Sequence, residues 1–164
     1  MLARKLDTLV FEKLCTTAFA KELTANQCAT LANVMTVRKL SRNQFLIREH
    51  QRDDTLHIVV RGNLAVLKKV GEDEEVISFV REGGLAGAMG FIDGQEHVAG
   101  LRAINDTEVL SLSRANLEQL MMHDPALVYN VMRAIIRSVH GIVRNMNDQY
   151  VQLTNYIKGQ HGRY

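Results

Sequence analysis

The chain has no tryptophan, a single proline, two cysteines and only 5% aromatic residues. One proline leaves no proline-rich linker between separate units. The cysteines, Cys15 and Cys28, stand thirteen positions apart, with no CxxC pair and no histidine at ligand spacing. They do not read as a metal knuckle, and both fall in helix-like segments, where buried or half-buried thiols in a reducing cytoplasm are expected. Apolar runs are short. None approaches the roughly 20 residues of a membrane helix, and Met1 to Asp7 holds no secretion signal. Charge of one sign is scarce as well: 20 basic against 18 acidic residues leave a net +2, with no electrostatic footprint for nucleic acid.

What remains is an ordinary globular balance, 46% hydrophobic and 23% charged, over 164 residues. Such a chain buries roughly 70% of its unfolded surface and needs no covalent staples. The first forty residues are helix-like. Leu6, Leu9, Val10 and Leu14 recur at helical spacing, and Thr24 caps a second helix carrying Cys28, Leu31 and Val34. From Met35 the texture changes to short Val/Ile/Leu/Phe stretches separated by turns every eight to twelve positions, the mark of an antiparallel sandwich or jelly roll. The strands are expected at 35–40, 45–48, 55–60, 64–70, 76–80, 98–104 and 108–111. Gly62-Asn63 and Gly71-Glu72-Asp73 read as hairpin turns.

Five of the eleven glycines, Gly83, Gly84, Gly87, Gly90 and Gly94, fall in one window. That density marks a place where the backbone needs freedom or close approach. Ser113 then caps a short helix. Asp124-Pro125 starts another, which nothing but Gly141 interrupts as far as about Ile157, a rod of roughly 45 Å. Val128, Met132, Ile135, Val139, Ile142, Met146, Gln149 and Leu153 alternate in steps of four and three, an a/d seam. A second stripe, Tyr129, Ile136, Val143 and Tyr150, recurs every seven residues beside it. The seam is expected to pair with a second copy of the chain, with Gln149 helping to fix register.

The order of these pieces resembles the cyclic nucleotide-binding domain of the catabolite-activator-like bacterial regulators. The residues that carry it are Asp54 to Gly62, Ile77 to Gly84, the cassette from Gly87 to Ala103, and Val109 to Ser113 before a helix and Asp124-Pro125. The resemblance implies an α+β fold. A double-stranded β-helix jelly roll would occupy residues 1–124 with N-terminal helices, and a long dimerisation helix with a short tail residues 125–164.

It also implies a ligand pocket, and here the residues depart from the pattern. The family's cassette reads Gly-Glu, a short helix, then Arg-(Ser/Thr)-Ala. The helix amides and the arginine meet the cyclic phosphate, and the glutamate takes the ribose hydroxyl. In this chain Gly84, Gly87, Met89 and Gly90 keep the loop, but Ala88 stands for the glutamate. His97-Val98-Ala99 stands for Arg-(Ser/Thr)-Ala, and Ile142 and Val143 occupy the positions that reach the base. Losing a buried charge-assisted contact costs on the order of 2–5 kcal/mol and a ribose hydrogen bond roughly 1–2. Together that is at least two to three powers of ten in affinity.

The reading is therefore a regulatory module with weak or absent cyclic nucleotide binding and no expected cofactor, a cyclic nucleotide or another small anion being the ligand its pocket suggests. It is expected to signal as a homodimer to a protein partner, without direct DNA binding, membrane contact, metal or catalysis. Two alternatives stand beside it: a ligand-free docking dimer, and a metal-dependent cupin-like enzyme suggested by His50 and His57, for which the His-x-His pair with a following glutamate is missing and only His57 and His97 are left as ligands. The Met89-Phe91 pair is expected in the core, and Arg102 on the surface.

Overall fold

The computed structural model describes residues 2–161. The expected tail at 162–164 and the side chain of Leu6 lie outside the described residues. The chain opens with helix α1 (Leu2–Cys15), a 3-10 turn (Ala18–Glu22) and α2 (Ala25–Ala32). Thr24 caps α2 with a capping box, its hydroxyl accepting from the Gln27 amide while the Gln27 side chain accepts from the Thr24 amide. Val10, Leu14, Cys28 and Leu31 are buried together. Cys15, expected to be at least half-buried, is exposed instead, because it is the last residue of α1. Burial pushes the Cys28 thiol up to about 11, with the neighbouring Cys15 adding to the rise.

Eight strands follow: β1 (Thr36–Leu40), β2 (Phe45–Ile47), β3 (Thr55–Arg61), β4 (Leu64–Val70), β5 (Asp73–Val80), β6 (Leu85–Ala86), β7 (Gly100–Ala103) and β8 (Thr107–Ser113). They form two four-stranded sheets in the orders β1-β8-β3-β6 and β2-β7-β4-β5, with every pairing antiparallel. Both hairpin turns fall where the glycines predicted them. Strand β5 begins earlier than expected, at Asp73, because Lys68, Lys69 and Val70 pair with Glu75, Glu74 and Asp73. The strand expected from Val98 begins only at Gly100, because 94–99 runs as a connection tied to the segment before β3.

Strand alternation divides the buried residues into two cores. From the first sheet, Leu56, Ile58, Leu110 and Leu112 face the helices. From its other face, Val59 and Val109 meet Ile47, Leu64, Leu101 and Ala103 between the sheets. His57 and Ser111 are cross-strand partners and share that inner face with Ala86.

Helix α3 (Ala88–Asp93) lies in the glycine-rich window, α4 (Arg114–Met121) is capped by Ser113, and α5 runs from Pro125 to His161. The first four turns of α5 are built into the domain. Leu127, Val128, Val131, Ala134 and Ile135 are buried, with Met132 and Val139 packed at the margin. This corrects the expected seam: Val128 and Ile135 belong to the domain's own core, not to a face open to a second chain. A four-three repeat shows that one face is apolar without saying what covers it, and here α4, the 3-10 turn and the first sheet cover it. The Glu22 carboxylate fastens the turn to this half of the helix, pairing with Arg133 at 3.2 Å and with Arg137 one turn on.

Candidate functional site

The glycine-rich window forms a short helix with a left-handed residue at each end, Gly87 at φ 77° and Gly94 at φ 71°. Two of its glycines are required by close approach. A Cβ on Gly87 would stand 2.7 Å from the Thr55 carbonyl, with the Ile47 side chain and the His57 ring just beyond. One on Gly90 would stand 2.7 Å from the His97 ring and 2.8 Å from the Asp53 carbonyl. The cassette helix is therefore pressed onto β3 and onto the segment that precedes it.

The far end of the cassette is held by backbone. The His97 amide donates to the Gln51 carbonyl at 3.0 Å, and the His50 amide donates to the His97 carbonyl at 2.8 Å. The Lys68 ammonium donates to the Val98 carbonyl at 2.6 Å. His97 itself is only 9% exposed, and its Nε2 donates to the Asp53 carbonyl at 3.1 Å. The ring thus lies against Gly90 and its Nε2 is committed to the protein. Val98 is 77% exposed, and Ala88 packs against the helical core.

Of the residues singled out from the sequence, Gly87, Ala88, Met89, Gly90 and His97 come together. Gly84 lies instead beside β3, its carbonyl accepting from the Val59 amide at 3.0 Å, and Ala99 immediately precedes β7. Met89, expected in the core beside Phe91, is 59% exposed. On a six-residue helix Phe91 takes the inward face, and Met89, two positions earlier, takes the opposite one. Ile142 and Val143 are half-exposed, on the part of α5 beyond its buried turns. Arg102 lies on the sheet surface, pairing with Glu74 at 3.3 Å and resting over the Phe45 ring.

Three residues that sequence reasoning did not select complete the site. Arg114 donates from Nε to the Phe91 carbonyl at 2.7 Å and from Nη2 to the Gly90 carbonyl at 2.6 Å. It caps the C-terminal end of α3, where a cation is favoured. Ser111 shares a 2.8 Å hydrogen bond with His57 Nδ1. Asp53 accepts from the Thr55 amide at 2.9 Å, and its other carboxylate oxygen faces His57 Nε2 across 3.7 Å.

His57 is 1% exposed, and its Nε2 has no hydrogen-bond partner. At 3.7 Å the imidazole attracts the carboxylate without a formed bond. That attraction, with the Thr55 contacts, outweighs burial and holds the Asp53 carboxyl down at about 2. None of the three is legible from spacing. The His57–Ser111 contact exists only in the β3–β8 register, and the Asp53-Asp54-Thr55 stretch signals no more than a turn.

On the outer side of Asp53 an open groove of about 550 Å³ is lined by Gln51, Arg52, Asp53, Asp54, Gly94 and Arg114. Among the described residues no three His, Cys, Asp or Glu side chains converge to hold a metal ion. No helix among them is long and apolar enough to cross a membrane.

Comparison with known proteins places this geometry. The family model described as the cyclic nucleotide-binding domain matches residues 37–124, more than half of the chain. The cAMP-activated global transcriptional regulator CRP of Salmonella typhimurium is 31% identical over 103 residues, covering 62% of this chain and 49% of the regulator. The chain thus spans about half the length of the curated relatives of this kind. A cyclic nucleotide-binding domain from Methylobacillus flagellatus superposes with a TM-score of 0.81 at 23% identity, covering 89% of this chain and 84% of that one. The regulatory subunit of a cAMP-independent protein kinase A from Trypanosoma cruzi, bound to guanosine, superposes at 0.67 with 17% identity, over 80% and 46% of the two chains.

Proposed function

The chain belongs to the cyclic nucleotide-binding domain family, and from that premise we propose that it is a non-enzymatic regulatory module whose cassette grips cyclic nucleotides weakly or not at all. The observation that carries the reading is the state of His97. It occupies the position where the family resemblance calls for a phosphate-binding arginine, and its Nε2 is spent on the Asp53 carbonyl. Ala88, at the ribose position, has no hydrogen-bonding side chain. An anion at this cassette would meet backbone amides without the arginine that the family pattern supplies, a deficit of at least two powers of ten in affinity.

The module acts as a homodimer on a protein partner in a reducing cytoplasm. The exposed side of α5 supports the dimer. Tyr129, Ile136, Val143, Tyr150 and Ile157 are all exposed, and with Met132, Val139, Met146 and Leu153 they alternate by three and four along the whole helix. This seam keeps Met132, Val139, Met146 and Leu153 from the sequence reading and replaces Val128, Ile135, Ile142 and Gln149 with the neighbouring stripe. It presents a continuous apolar edge, as a parallel pair of helices requires.

Isothermal titration with cyclic AMP, cyclic GMP and guanosine tests the ligand claim. No heat is expected from the two cyclic nucleotides at concentrations that saturate a micromolar site. Micromolar binding of either would overturn the weak-cassette reading, and guanosine binding alone would identify a ligand that does not need the missing arginine.

A further inference from the structure

Behind the cassette, polar groups are collected where the inter-sheet core is otherwise apolar. Asp53 touches both sides of that collection. Its carboxylate faces His57 Nε2 across 3.7 Å, and its carbonyl accepts from His97 and abuts Gly90 of α3. His57 is enclosed, hydrogen-bonded through Nδ1 to Ser111 and left with an unpartnered Nε2. We propose that Asp53, His57 and His97 form a proton-operated latch, in which protonation of His57 draws Asp53 inward and moves the cassette helix with it.

The chemistry of the ring gives the latch two states. A neutral imidazole has one N–H and one lone pair, and the Ser111 hydroxyl can either accept from Nδ1–H or donate to a bare Nδ1. With the proton on Nδ1, the Nε2 lone pair faces a carboxylate. With the proton on Nε2, the donor stops short of Oδ2. The imidazolium always carries an N–H on Nε2 and adds a full positive charge opposite the Asp53 carboxylate, whichever way the Ser111 hydroxyl turns. A charge-assisted N–H···O bond of ~2.8 Å then requires Asp53 and His57 to approach by roughly 0.9 Å.

Asp53 does not move alone. The Thr55 amide holds its other carboxylate oxygen, and its carbonyl is in contact with both His97 and Gly90. Gly90 has no side chain to absorb the shift, and Arg114 ties the Gly90 and Phe91 carbonyls to the start of α4. Few other groups face His57. Ala86 and Gly87 on the β6 side carry nothing titratable, and β8 contributes Ser111. Arg52, Asp54 and Arg114 line the outer groove beside Asp53, and His97 meets the Asp53 carbonyl. The latch needs no nucleotide, so it stands or falls independently of the ligand reading above.

Nuclear magnetic resonance on the labelled full chain tests it by following the His57 and His97 ring protons and the Gly90 amide through a pH titration. The expected result is a Gly90 shift sharing the His57 midpoint, which Asp53→Asn abolishes. A Gly90 amide that ignores His57, or follows only His97, overturns the proposal. So does a His57 ring still neutral about two units below the ordinary histidine value of ~6.5. A response that survives Asp53→Asn overturns it too. Should that variant fail to fold, the wild-type midpoints alone decide.

Discussion

The cassette and the long helix differ in what their sequence patterns disclose. In the cassette Gly87 and Gly90 stand where close approach demands them, while Ala88 and His97 stand where the family resemblance calls for a glutamate and an arginine. In α5 the side-chain pattern is as regular as predicted, but its partner differs along the helix. The Val128–Ile135 side of the early turns is buried in the domain, whereas Val143, Met146, Tyr150 and Leu153 are exposed. One apolar repeat can therefore run along a buried face and an exposed one. Shape in one region and periodicity in the other are necessary for function without specifying it.

The sharpest way to break the comparison is to treat both halves of α5 alike. Ile135→Asp places a carboxylate in a fully buried site, and the expected loss is about 5 kcal/mol, read as loss of the cooperative unfolding transition. On the cassette side, Ala88→Glu combined with His97→Arg should raise cyclic AMP affinity by at least about tenfold by calorimetry. An unchanged affinity would mean that the deficit lies in the backbone and not in the side chains.

A smaller effect comes from acid. The Asp53 carboxyl is held at about 2, below its ordinary value of ~3.9, so its contribution is complete above pH ~4 and lost as pH falls through about 2. Denaturant titrations across that range should show the wild type losing on the order of 2 kcal/mol, and Asp53→Asn should flatten the dependence. The smallest effect on stability belongs to Val143→Asp. It should change folding free energy by no more than about 0.5 kcal/mol while sedimentation shows the mass falling to that of one chain. An unchanged mass would remove the dimer from the account.

Much of the architecture was legible because it rests on local signals. The Thr24 and Ser113 caps, the Asp124-Pro125 start and the two hairpin turns all act within a few residues. The cassette was legible through glycines whose spacing reflects contacts a side chain would block. What the sequence hid was set by register and packing. His57 meets Ser111 because β3 and β8 align as they do, 54 positions apart along the chain. Arg114 reaches α3 only because the Asp54 carbonyl accepts from its amide and so fixes where α4 begins. Val128 could not be told from Tyr129 by period alone, since adjacent stripes of one helix carry the same repeat.

The double grip of Glu22 on Arg133 and Arg137 also sets a fulcrum. From Arg137 to Ile157 the helix extends roughly 30 Å beyond that point, so a tilt of roughly 10° there would sweep its tip through roughly 5 Å. The N-terminal turn that carries Glu22 is thus the short arm of a lever, and the last turns of the rod are where a small local displacement is read at its largest amplitude.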